Sequence, residues 1–222
     1  LGAAPTKSSV IYPGIDLSRF FTGPPRHDLQ TKVGIQPTDK VLLFMGTIFR
    51  FSGLVELLTE LSPALHLDKS IKFLILGDGE DFNRLHQLAI TLGLQDQVIM
   101  PGRIEYDLLA DYLRLGHVAL LPFKQELVTH GALPGKVLQY LACGLPTIST
   151  PLDGLQSMIP PNQGILYANN SQEMANIAIE LVSNSDKQHE LASLGVDLMI
   201  LHCNWKTQLQ SFEQMIRSFQ RV

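Results

Sequence analysis

Cysteine is scarce. The chain has two, Cys143 and Cys203, sixty residues apart. They form no CxxC pair, which excludes a cysteine-built zinc site and a disulfide framework and fits a reducing cytoplasm. Both read as free, partly buried thiols. Charge is also low. Charged residues make up 17% of the 222, and the formal net charge is −4. That balance excludes wholesale binding of nucleic acid or of an anionic membrane. It leaves open local phosphate binding through backbone N–H groups and a few placed cations. No apolar run reaches the ~18–20 residues that a membrane span needs. The start, LGAAPTKSSV, lacks the charged and apolar regions of a signal peptide. It opens on Leu1 rather than Met, as a fragment or a processed product does. Repeats and low-complexity tracts are missing too.

What is there is an alternation. Short apolar runs occur at Val41–Met45, Ile71–Leu76, Gln97–Met100, Val118–Phe123, Pro146–Thr150 and Gly164–Tyr167. Stretches of helical period lie between them, at Gly53–Leu67, Glu80–Leu92, Tyr106–Leu115 and Lys136–Cys143. Continuous apolar strands interleaved with helices predict a parallel sheet covered on both faces. Right-handed crossovers then give an α/β, Rossmann-like, doubly wound sheet. The strands end in Gly46, Gly77, Gly102, Pro122 and Pro151. Ligands of such sheets bind at those carboxyl ends. Beyond the sheet, Ser171–His202 reads as two helices and Trp205–Phe219 as an amphipathic one. The stripe Trp205, Leu209, Phe212, Ile216 and Phe219 steps by threes and fours, so it must cover this domain or a neighbour.

Four motifs carry candidate chemistry. In MGTIFRFSG, Met45–Gly53, a strand end opens on Gly46 and a helix starts near Gly53. A phosphate can bind at such a helix start, with Arg50 adding charge. In LGDGEDFNRL, Leu76–Leu85, Gly77 and Gly79 allow close backbone approach, while Glu80 and Asp81 read as first-turn acids that complement the helix dipole. In MPGRIEYDLL, the backbone of Arg103 and Ile104 lies open at a strand end; His117, further on, reads as a core or surface histidine. In THGALPGKVLQYLACGLPTIST, a glycine-bearing loop with Gly131 and Gly135 runs into a helix. Lys136 and Gln139 share a face of it. Lys136 can act as a point charge on phosphate, and Gln139 can bond vicinal hydroxyls.

In order and spacing these segments resemble the C-terminal domain of GT-B-fold glycosyltransferases, the large retaining group 1 family. The resemblance runs from about Ser8 to the end. It includes VIYPGIDLSRF, Val10–Phe20, which is similar to the segment leading into that domain, and LACGLP, Leu141–Pro146, which is similar to a widespread signature. The resemblance implies an interdomain linker over 1–20, a nucleotide-sugar-binding domain over 21–203, and a C-terminal crossing helix over 204–222 that packs on an N-terminal domain missing here. It implies a nucleoside-diphosphate sugar as substrate and retention at the anomeric carbon, with no metal or other cofactor. Diphosphate would lie against Gly46, Thr47, Arg50, Ser52, Gly79, Gly131, Gly135 and Lys136. The base would meet Arg103 and Ile104, and the ribose Gln139. The acceptor, a sugar, polysaccharide or lipid-linked molecule, and the catalytic residues would belong to the missing half.

The resemblance also has departures. Where the family often has an acid, seven residues and a second acid, this chain has Gly131 and Gln139; where it often has Arg and Lys, this chain has Thr47 and Ser52. Alone, the chain is expected to transfer sugar poorly or not at all. The expected location is cytoplasmic, with peripheral membrane contact allowed. Two other readings compete: a non-catalytic nucleotide-binding or partner-docking module, and an NAD-dependent dehydrogenase domain. The last fares worst, because no GxGxxG follows the first strand.

Overall fold

A computed structural model describes residues 13–219. Six parallel strands form one sheet: β1 Lys40–Met45, β2 Ile71–Leu76, β3 Val98–Gly102, β4 Val118–Leu121, β5 Thr147–Ser149 and β6 Ile165–Tyr167. Their order is β3-β2-β1-β4-β5-β6. This is the doubly wound order whose direction reverses between β1 and β4, where the crevice for a ligand opens. The strands are apolar because helices cover both faces. Val41 to Phe44 and Val118 to Leu121 are fully buried.

Ten helices accompany the sheet among the described residues: α1 His27–Val33, α2 Leu54–Leu67, α3 Phe82–Thr91, α4 Leu109–Leu113, α5 Leu127–His130, α6 Gly135–Ala142, α7 Asp153–Met158, α8 Ser171–Val182, α9 Ser185–His202 and α10 Trp205–Phe219. In α2, Leu54, Leu57, Leu58, Leu61 and Leu65 form the buried stripe, spaced at three and four. Its start depends on Gly53, which has φ +67°. A Cβ there would overlap the Pro122 carbonyl oxygen, so only glycine lets α2 begin this close to the end of β4.

The expected elements are present, with shifted ends. The third strand begins one residue late because Gln97 turns inward. Its amide donates to the carbonyls of Leu65 (2.6 Å), Asp68 (3.2 Å) and Ile71 (3.1 Å), knotting β2 and β3 to the end of α2. The helix expected over Tyr106–Leu115 is a 3-10 turn at Tyr106–Leu108 followed by α4, with Leu109, Tyr112 and Leu113 inward. The long helical stretch breaks at Ser183 and Asn184, where the Asn184 side chain caps α9 by accepting from the Lys187 N–H. Three short helices, α1, α5 and α7, were not expected from the pattern.

His117 is structural. Its backbone N–H donates to the Val41 carbonyl (2.8 Å), and its Nδ1 accepts from the Val41 N–H (3.0 Å), pinning β4 to β1. The α10 stripe is only partly covered by this domain: Trp205, which packs on Gly14, and Leu209, Phe212 and Ile216 are each at least 40% exposed. Its first residue is nonetheless anchored, since the Trp205 N–H donates to the Ile15 carbonyl and the Ile15 N–H to that of Cys203. The expected resemblance over Ser8 to Tyr12 lies outside the described residues.

Candidate functional site

The site grows from one tie between α6 and β1. Tyr140 is fully buried, and its hydroxyl accepts from the Met45 N–H (2.7 Å) and donates to the Met45 carbonyl (3.2 Å). Burial pushes the phenol far up, so it keeps its proton and both bonds. Met45 is the last residue of β1. The tie therefore holds the first turn of α6 against the Gly46 turn, at the reversal point of the sheet.

Lys136 occupies that junction. Its ammonium sits 4.5 Å from the centre of the Phe44 ring and 5.0 Å from that of Phe123. A Cβ at Gly46, where φ is +132°, would collide with it. No carboxylate pairs with it among the described residues. Burial pushes its pKa down to about 8. A cation held by two aromatic faces at a helix start is an arrangement that can pair with an anion.

Three cavities meet at this junction. One, of about 480 Å³, runs over Gly46, Thr47, Gly77 and Gly79 to Arg103, Ile104 and Leu109. The second, of about 520 Å³, brings Gln139 together with Gly135, Lys136, Asp16, Tyr106 and Trp205. The third, of about 430 Å³, is lined by Gly46 and Lys136 together with Phe49, Phe51, Phe123 and Leu133. So Gly46, Thr47, Gly79, Arg103 and Ile104 line the first cavity, Gly135, Lys136 and Gln139 the second, and the third shares Gly46, Thr47, Gly135 and Lys136 with them. Leu138, Leu141 and Ala142 face the core on the other side of α6, as their spacing requires.

The remaining predicted residues sit differently. Ser52 is fully buried, and its hydroxyl accepts from the Phe49 N–H (3.1 Å) and donates to the Thr47 carbonyl (3.2 Å). It shapes the loop and lines none of the three cavities. Arg50 is exposed and lines none of the three cavities, with its backbone N–H donating to the Glu80 carboxylate (3.1 Å). That contact gives Glu80 a loop-holding role in place of the first-turn one expected. Gly131 caps α5 and lines none of the three cavities either. Gly79 does line the first cavity, but the crowding that requires glycine there comes from the Ile48 backbone.

Sequence reasoning missed Asp16, Tyr106 and the phenylalanine cluster. Asp16 reaches the second cavity because the leading segment returns to the sheet rim through the bridge between Ile15 and Asn204. Its hydrogen bond from the Ser18 hydroxyl holds the carboxyl below its ordinary value. The spacing of Phe49 and Phe51 in MGTIFRFSG was the available signal for the aromatic cavity. The two rings stack with centroids 4.9 Å apart, and Phe51 meets Phe123 edge-on at 5.4 Å.

A doubly wound parallel α/β domain with a half-buried lysine at its switch point is the class that fold and site define. The sequence model described as "Glycosyl transferases group 1" matches residues 25–194, and the chain belongs to that family. A curated relative, D-inositol 3-phosphate glycosyltransferase 2 of Catenulispora acidiphila, is 29% identical over 204 residues, covering 87% of this chain and 46% of the relative. The chain thus spans less than half the length of the curated relatives it matches. Among solved structures, the C-terminal domain of the group 1 glycosyl transferase LpcC from Francisella tularensis superposes with a TM-score of 0.72 at 19% identity, over 86% of this chain and all of that one. HepE of Anabaena, solved in complex with UDP, superposes with a TM-score of 0.81 at 19% identity, over 98% of this chain and 59% of that one. At these identities the likeness establishes the fold: a Rossmann-like GT-B C-terminal domain. No helix among the described residues is long and apolar enough to cross a membrane.

Proposed function

We propose that this chain is the donor-binding half of a glycosyltransferase that takes sugar from a nucleoside diphosphate and transfers it with retention of configuration. One observation carries the reading: Lys136, an acid-free cation, sits over the Gly46 turn at the start of α6. The diphosphate bridges Gly46, Thr47, Gly135 and Lys136. The base lies toward Arg103 and Ile104, and the ribose hydroxyls meet Gln139. As the bond from the anomeric carbon to the diphosphate oxygen breaks, Lys136 and the first-turn N–H groups of α6 stabilise the growing negative charge. No metal is needed for that role. Lys136 takes over the charge that Thr47 and Ser52 do not supply. The solvent-facing stripe of α10 is the docking face for an acceptor-binding half, and the acceptor is a sugar, a polysaccharide or a lipid-linked molecule.

That same stripe, 53% exposed at Trp205, supports the second reading, a partner-docking module without transfer activity. Calorimetric titration with UDP, GDP, ADP and NAD separates the two. The donor reading predicts micromolar-to-millimolar binding of one nucleoside diphosphate and no binding of NAD. Binding of none would move the docking reading ahead.

A further inference from the structure

We infer that the sugar carried by the donor bears a methyl group, as a 6-deoxyhexose or an acetamido sugar does, and that Phe49, Phe51 and Phe123 select it. The inference rests on the donor reading and deepens it. Gly46 and Thr47 are shared by the cavity that reaches Arg103 and Ile104 and by the aromatic cavity. Gly135 and Lys136 are shared by the aromatic cavity and the one that holds Gln139. The four shared residues form the diphosphate junction. With the other two cavities taken by base and ribose, the aromatic cavity, which borders all four junction residues, is the one left for the transferred sugar.

That cavity is a poor host for a fully hydroxylated hexose. Apart from Lys136, its polar side chains are Thr47 and Thr129, and no carboxylate lines it among the described residues. The Thr129 hydroxyl is already committed, donating to the Lys124 carbonyl and accepting from the Glu126 N–H. Hydroxyls entering here leave water for few partners. A methyl group finds the opposite: the stacked pair Phe49 and Phe51, the edge of Phe123, and Val128 and Leu133 lining the same cavity. The cavity's volume of about 430 Å³ holds a sugar ring with its substituent. Phe49 is 40% exposed in the absence of ligand, so its free face is available for contact with the sugar.

The test uses donors that share a base and differ in the sugar, on whichever base the diphosphate panel selects. For uridine, the chain is titrated with UDP, UDP-glucose, UDP-rhamnose and UDP-N-acetylglucosamine. One methyl-bearing sugar should bind about tenfold or more tighter than the hexose, the size of selection one apolar group draws from a fitting pocket. Which of the two wins tells the deoxy methyl from the acetamido methyl. Phe49→Ala should cut that preference at least threefold. Equal affinity for all three donors, with UDP itself bound, overturns this inference and leaves the donor reading standing. Failure of every nucleoside diphosphate to bind overturns both.

Discussion

Replacing Lys136 by Met should stabilise the protein at neutral pH, because the wild-type ammonium is held for a ligand and is poorly solvated without one. Burial lowers the pKa from 10.5 to about 8. Each unit corresponds to about 1.4 kcal/mol, so the charged form costs at most about 3.5 kcal/mol. The phenyl faces of Phe44 and Phe123 give back about 0.5–1 kcal/mol each. Met keeps the length and packs against the same rings. The expected net gain is about 1.5–2.5 kcal/mol at pH 7. The pH dependence fixes the sign independently. Between pH 8 and 10.5 the unfolded chain holds a proton at this position that the folded chain has lost, so wild-type stability rises with pH through that window. The variant lacks this term, and its advantage should shrink by pH 10. Urea unfolding of both proteins, followed by circular dichroism at the two pH values, reads the gap directly. A variant less stable than wild type at pH 7, or a gap that does not narrow, would refute the account of Lys136.

Further expectations follow from the ties around the junction. Tyr140→Phe leaves the Met45 N–H buried without a partner, which should cost about 2 kcal/mol in the same unfolding assay; a loss under 0.5 kcal/mol would mean the tie is dispensable. Gly53→Ala places a Cβ on the Pro122 carbonyl in a left-handed backbone, and it should destabilise by about 3 kcal/mol or more. A neutral result there would contradict the packing of α2 on β4. Gln139→Ala should weaken ribonucleotides more than their 2′-deoxy counterparts in calorimetry, and indifference to the 2′-hydroxyl would remove Gln139 from the ribose site.

Much of the fold was legible because a sheet buried on both faces writes itself as continuous apolar runs. Val41–Met45 and Ile71–Leu76 match their strands closely, and α10 matches its predicted bounds. What escaped was local. The helix α5 has four residues and α7 six, too short for periodicity to register. The site was legible where one helix face fixed it, as for Lys136 and Gln139, whose three-residue spacing already placed them together. Ser52 misled because a hydroxyl beside a glycine serves equally to cap a loop, and only the structure tells the two uses apart. Asp16 was out of reach because its place depends on a long-range bridge to Asn204, and no local pattern encodes that pairing. The aromatic cavity was missed because Phe49, Phe51 and Phe123 come from two loops that only the β1–β4 reversal brings together.

The central claim is that Gly46 and Lys136 form a diphosphate site, and Lys136→Ala tests it most directly. Calorimetry of wild type and variant should compare the selected nucleoside diphosphate with its bare nucleoside. Loss of a partly buried charge-assisted contact should weaken the diphosphate about 30- to 100-fold and leave the nucleoside within about twofold. An equal loss for both ligands, or no loss for either, would contradict the account.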